Sequence, residues 1–411
     1  MAFCGSSAEE KLDWIEEAQK GLLRKDVVII GAGAAGLMCA IEAGKRKRSV
    51  LVLEHMDKIG KKIRVSGGGF CNFTNIHLRP DHYLSANPHF CKSALARFSP
   101  HDFIAMLESY GIPYYEKEKG QLFCRGTSAD IVGMLHQECN KAGIEIYLNC
   151  RTGSIRKRAG FFSISTNSGN IEARSLVIAT GGLSYPELGA TDMGFRIAAR
   201  FGLKTTRLKP ALVPLVFERH YLKKFNELSG VSFHAAVSCR GRQFRGKVLF
   251  THRGLSGPAI LQASLYWDRG DEITIDLMPD RDAYELFTSK RKSRIEMSNL
   301  LSEYLPRRFS HLWCALHAPS RPLCRYTEKE LKDITRQVHQ WTIRPEDTEG
   351  YRKAEITAGG IDTAELSSKT MEAKKVPGLF FVGEVVDVAG QLGGYNLQWA
   401  WSSGFVAGQY V

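Results

Sequence analysis

DVVIIGAGAAG, residues 26–36, decides the fold of this chain. Val27 to Ile30 form an apolar run without polar alternation, which predicts a parallel strand covered on both faces. Gly31, Gly33 and Gly36 then complete G-x-G-x-x-G. The first glycine allows a tight turn, the second lets the backbone approach a pyrophosphate, and the third permits close helix–strand packing. Ala34 and Ala35 open a stretch of helix formers over 34–47, whose first N–H groups would point at the phosphates. A second strand, predicted over 50–53, ends in Glu54, 18 residues after Gly36. A carboxylate there accepts hydrogen bonds from ribose hydroxyls. Strand, helix, strand and acid in register predict a dinucleotide site.

A chain of 411 residues exceeds one ordinary core and predicts two or three domains. No segment approaches the roughly 18 uninterrupted apolar residues of a membrane span, so no membrane partner is expected. The first residues are acidic and carry no apolar signal core. Ten cysteines without C-x-x-C pairs read as reduced thiols of a cytoplasmic protein, and neither Cys nor His spacing suggests a metal site. The net charge of +13 fits either a polyanionic partner or phosphorylated small molecules. Its basic residues are spread, with no run interleaved with aromatics and no RNA-binding motif. A small-molecule substrate is therefore the expected partner, and nucleic acid is not.

Residues 1–24 read as a helical extension, with Ser7 and Glu10 as a capping box. The dinucleotide-binding domain is expected over 25–200 and 348–411, interrupted by an inserted substrate or cap domain over 201–347. Within the insert, alternation at 231–237 and 272–277 predicts strands with one buried face, and 282–305 and 327–341 read as amphipathic helices. Segments 161–165 and 171–178 predict a hairpin-like pair, and 379–382 another buried strand.

Three further glycine clusters follow predicted strands. Ser66, Gly67, Gly68 and Gly69, before Cys71 and Asn72, expose main chain to a flat ring or a phosphate, with Lys62 and Arg64 adding positive charge. Thr180 and Gly181 end the strand over 171–178, and ligands of α/β sheets lie beyond such ends. Gly383 and Glu384 end the strand over 379–382, and Glu384 or Asp387 suits the ribityl hydroxyls of a flavin. Gly393, Gly394, Tyr395 and Asn396 open a terminal helix, whose N-terminal partial charge of about half a unit would stabilise a reduced flavin near N1 and O2. Tyr185, His252 and Tyr395 are the candidate proton donors.

These blocks together resemble the bacterial YhiN/BaiN-type flavoproteins: GAGAAG, GKKIRVSGGGFCN, ATGGLSYP, LVPL, THRGLSGP, AEITAGGI and GEVVDVAGQLGGYNLQWAWSSG span residues 26 to about 410. The resemblance implies an α/β, Rossmann-like FAD-binding domain of the glutathione-reductase type with an inserted mixed β-barrel and helical domain. It implies non-covalent FAD, with Gly31, Gly33, Gly36 and Glu54 at the adenosine end and Ser66 to Cys71 and Gly181 along the cofactor. Glu384, Asp387, Gly393, Gly394 and Asn396 would surround the ribityl chain and isoalloxazine. Phe70 departs from the family's usual Arg in GGGRCN, which removes a positive charge near the flavin or its substrate. Thr191 to Phe195 depart from its usual loop after SYP.

The expected activity is hydride transfer between NADH or NADPH, bound transiently, and a small organic acceptor such as an activated C=C bond, the cofactor carrying the chemistry. A substrate-reduced amine or alcohol oxidase and an RNA-directed flavoprotein are the alternatives.

Overall fold

The computed structural model describes residues 23–319 and 321–411. The predicted helical extension lies outside these residues, apart from Leu23 and Arg24, which form the start of a strand. Two units result, one of residues 1–209 and 357–411 and one of Pro210–Ile356, where composition had pointed to 201–347. The second unit ends later because Pro345–Thr348 is a strand of its own sheet.

The first unit is built on a sheet whose centre is parallel. β1 (Leu23–Ile30) leads through α1 (Ala34–Lys45) to β2 (Val50–Leu53). β3 (Glu145–Tyr147) pairs parallel with β2, while β4 (Thr152–Arg158), β5 (Phe161–Thr166) and β6 (Gly169–Ile178) form an antiparallel meander. β6 closes back parallel onto β1, and β7 (Leu379–Phe381) pairs parallel with β6. This mixed sheet has helices on its parallel part, the arrangement in which ligands lie at carboxyl strand ends. Val27 to Ile29 and Leu176 to Ile178 are fully buried, as strands covered on both faces must be.

Register fixes where those ends fall. Ile30 is opposite both Leu53 and Ile178, and Ile178 is opposite Phe381. Four strands thus stop at one level, and the turns beginning at Gly31, Glu54, Ala179 and Val382 leave from one edge. The terminal helix, α2 (Tyr395–Gly408), packs on α1 by backbone approach. A Cβ on Gly404 would lie 2.3 Å from the Ala35 carbonyl oxygen, and one on Gly408 2.7 Å from that of Cys39.

The second unit carries a seven-stranded antiparallel sheet in the order 341–343, 273–276, 232–239, 242–250, 254–256, 215–217, 345–348. The predicted helix over 282–305 is two short helices, Ala283–Ser289 and Met297–Leu301. Between them, main-chain bonds from Leu323 to Ile295 (2.8 Å) and Cys324 to Ser293 (3.2 Å) hold the chain extended. Apolar periodicity continued across the break while the backbone bonds did not.

Candidate functional site

The three glycines of the first turn do different work. Gly31 has φ +108°, and a Cβ there would sit 2.4 Å from the Ala179 oxygen; a Cβ on Gly36 would sit 2.0 Å from the Gly31 oxygen. Both are demanded by the protein's own packing. Gly33 has ordinary extended angles, φ −84° and ψ −171°, and a Cβ on it would meet nothing within 4 Å. Its missing side chain leaves open space at the N-terminus of α1, where the helix's unpaired N–H groups attract an anion.

Glu54 is buried, and its carboxylate accepts from the N–H groups of Ala32 and Met56, both at 2.9 Å. Burial pushes its pKa up, but the bond to His55 and these two N–H groups outweigh it and hold the carboxyl below its usual range. An ionised carboxylate offers about four lone-pair sites, so acceptor capacity remains for a ribose.

The β7 turn is joined to the first turn directly: a Cβ on Gly383, at φ +74°, would lie 2.8 Å from the Ala35 Cβ. Gly383 is held by α2, its N–H donating to Ser403 Oγ and its oxygen accepting from Trp399 Nε1, both at 3.0 Å. Glu384 forms an ion pair with Lys62 and accepts from the Thr357 N–H at 2.9 Å. Gly182 admits this carboxylate, since a Cβ there would be 2.6 Å from Glu384 Oε1. The Lys62 ammonium lies 5.9 Å from the ring centroid of Tyr185, a residue at positive φ. Thr357 falls within the AEITAGGI block, yet nothing in its local pattern distinguishes it; only the fold brings it to Glu384.

Gly67, Gly68 and Gly69 all have positive φ, and Cβ atoms on Gly68 and Gly69 would meet nothing within 4 Å. Ser66 donates to the Ile63 oxygen at 2.7 Å. Gly181, also at positive φ, faces open space. Thr180 is turned inward: its buried hydroxyl has no partner among the described residues and packs on the Gly194 backbone.

Several predicted residues shape the site from within the protein. Asn72, with its oxygen toward Gly394 N–H (3.2 Å), donates to the oxygens of Thr74 and Leu122. Asn396 closes the turn before α2, accepting from Gly390 N–H at 2.8 Å and donating to the Gly390 oxygen at 2.9 Å. Asp387 accepts from Ala86 N–H at 3.0 Å, and burial pushes its carboxyl up. Gly394 is the N-cap of α2 at φ +96°, and a Cβ on Gly393 would touch Gln121. Tyr395 is buried against His82, with ring centroids 4.6 Å apart. Burial pushes the Tyr395 hydroxyl up to about 12, so it keeps its proton at neutral pH. His252 is exposed in the second unit.

Cys71 is fully buried, and burial, opposed by the neighbouring Ser66 side chain, pushes its thiol up to about 12. A thiol so placed is inert. Native protein treated with iodoacetamide at pH 8 is expected to leave Cys71 unmodified while exposed Cys324 reacts; peptide mass mapping showing equal labelling would contradict this. Among the described residues no cluster of three or more His, Cys, Asp or Glu side chains is arranged to hold a metal, and no helix is long and apolar enough to cross a membrane.

The open cradle at Gly33, the glycines at 68, 69 and 181 and the ionised acceptor at Glu54 fit an extended dinucleotide. Residues 25–410 match the model of the HI0933-like protein Rossmann domain. The chain is 45% identical over 390 residues to a ribosomal RNA dihydrouridine synthase of Escherichia coli K12, covering 94% of this chain and 98% of that protein. It is 28% identical over 407 residues to a 3-dehydro-bile acid delta(4,6)-reductase of Clostridium scindens, covering 93% of this chain and 97% of that protein. A quinol–fumarate reductase structure shares the fold at TM-score 0.50 and 16% identity, over 94% of this chain and 70% of that one. The chain belongs to the HI0933-like Rossmann family of YhiN/BaiN type, the FAD-dependent oxidoreductases.

Proposed function

We propose that this protein reduces the C5=C6 bond of a uracil base in ribosomal RNA, drawing its electrons from NADH or NADPH. The observation that carries this reading is the 45% identity, over nearly the full length of both chains, to a protein named for that activity. The net charge of +13 is consistent with a polyanionic substrate. Both named relatives reduce carbon–carbon double bonds, which unites the RNA reading with the small conjugated acceptor read from the sequence.

The uracil 4-carbonyl is conjugated with C5=C6, so hydride adds at C6 and a proton at C5. One equivalent of reduced nicotinamide is oxidised for each bond saturated. FAD supplies two-electron redox chemistry when bound. The chain's own groups would then hold and orient. The Gly33 turn and the start of α1 would bind the pyrophosphate, Glu54 the adenosine ribose, and Gly68, Gly69 and Gly181 would let main chain lie against the cofactor. Lys62, Glu384 and Thr357 would fix the turn near the ribityl chain. The first-turn N–H groups of α2 would favour negative charge at the ring. The unit architecture is proposed to be of glutathione-reductase type with a barrel-like insert. Support for the barrel comes from its strand order, which begins at 341–343 and ends at 345–348, separated by Arg344 alone.

The test uses ribosomal RNA transcribed in vitro, incubated anaerobically with holoprotein and NADPH or NADH. One uridine is expected to gain two hydrogens by nuclease digestion and mass spectrometry. Unchanged RNA, with the reduced flavin instead reoxidised by a conjugated enone, would replace this reading with the small-molecule one.

A further inference from the structure

We infer that an aromatic and basic surface beside the Ser66–Gly69 loop docks an unpaired stretch of RNA, a base stacking on Phe70 and the phosphates meeting Lys117 and Arg125. The inference rests on the RNA reading of the preceding subsection. Two segments build it, the loop at Phe70 and the hairpin over 114–125.

Phe70 follows the left-handed glycines and is 49% exposed, the most exposed of the chain's large hydrophobic side chains among the described residues. Half of this side chain is left in water, and a stacked base would cover it. The loop is fixed to an adjoining hairpin: the Phe70 oxygen accepts from Cys124 N–H at 3.0 Å, and a Cβ on Gly67 would lie 2.9 Å from the Phe123 ring.

On that hairpin, strands Tyr114–Glu116 and Gln121–Cys124 are antiparallel with Tyr115 opposite Phe123. Their rings stack at 5.8 Å and 27°, over a buried Phe123. Side chains two apart share a face, and each ring is overlaid by a cation: Lys117 Nζ is 5.3 Å from the Phe123 centroid and Arg125 Cζ 5.9 Å from that of Tyr115. Both cations are exposed and form no ion pair among the described residues. Of the hairpin's carboxylates, Glu116 is occupied by Gly120 N–H at 2.8 Å, and Glu118 lies exposed at the turn. Glu116 and Glu118 fall on the alternate positions of the strand and its turn, and the face carrying Tyr115 and Lys117 pairs a cation with an aromatic ring, as sequence-tolerant single-strand binding needs. A base that leaves its stack to be reduced needs its neighbours held as well.

The experiment measures fluorescence anisotropy of a labelled oligouridylate titrated with flavin-loaded protein. Phe70→Ala is expected to weaken binding about tenfold, the size of one base–aromatic stack, and Phe70→Trp to retain it, each compared with wild type at equal flavin content. Lys117→Ala with Arg125→Ala is expected to lower the slope of log affinity against log salt by roughly 1.4, about 0.7 for each lost phosphate contact. Lys290→Ala with Lys292→Ala, on the exposed basic loop of the second unit, serves as the charge control and is expected to change affinity less than twofold. Unchanged binding by Phe70→Ala, or an equal loss from the control, would overturn the surface and leave the RNA reading standing. Wild-type protein that binds neither oligouridylate nor ribosomal RNA would overturn both.

Discussion

Gly33→Val is expected to yield a folded, colourless protein. The substitution needs no backbone strain, since φ −84° and ψ −171° suit any residue, and the new side chain meets no protein atom within 4 Å of its Cβ. It does fill the space in which the pyrophosphate must approach the α1 N-terminus. Flavin content should fall by at least about tenfold, the effect of roughly 1.4 kcal/mol of lost contact, while far-UV circular dichroism matches that of wild-type apoprotein. Thermal stability should also match the apoprotein, because only ligand linkage is lost. Full flavin occupancy in this variant would move the cofactor elsewhere. Gly31→Val and Gly36→Val make the contrast: their side chains would overlap main-chain oxygens at 2.4 and 2.0 Å, so those proteins should fail to fold rather than fail to bind.

Gly404→Ala is expected to destabilise the protein even though alanine is the better helix former. Helix propensity favours the change by about 1 kcal/mol. Against it, the new Cβ would stand 2.3 Å from the Ala35 oxygen, and overpacking of this kind costs about 3 kcal/mol. The net loss of about 2 kcal/mol should appear as a lower denaturation midpoint of the apoprotein with unchanged slope. Flavin affinity should fall too, since separating α2 from α1 moves Gly383 away from Ala35. Gly133→Ala is the control. That glycine lies in helix Ser128–Lys141 with nothing within 4 Å of its Cβ position, so alanine should stabilise by about 0.4–1 kcal/mol. Equal responses at the two positions would show that contact between the helices does not set the cost.

Features of local origin were the legible ones. The run Val27 to Ile30, the glycine spacing after it and Glu54 are written within one βαβ unit, and the chain forms that unit with β1 and β2 in register. The hairpin of β5 and β6 and the start of the terminal helix were equally local. What pairing at long range decides was not visible. The Lys62–Glu384 ion pair joins residues 322 apart, and Thr357 joins them only because Gly182 leaves room. The bonds of Asn72 to Thr74, Leu122 and Gly394 and of Asn396 to Gly390 are set by neighbouring backbone groups that no spacing reveals. The helix expected over 282–305 breaks because residues 293 and 295 find main-chain partners some thirty positions away. The aromatic and basic surface at Phe70 escaped a linear reading for the same reason.

Four strand ends and the start of α2 are proposed to form one FAD site. The most direct test is the identity and stoichiometry of the cofactor released on heat denaturation of the purified protein. One FAD per chain, with about a tenth or less retained by Gly33→Val, is the predicted result. A colourless wild-type protein that takes up no added FAD would show that these turns hold no flavin.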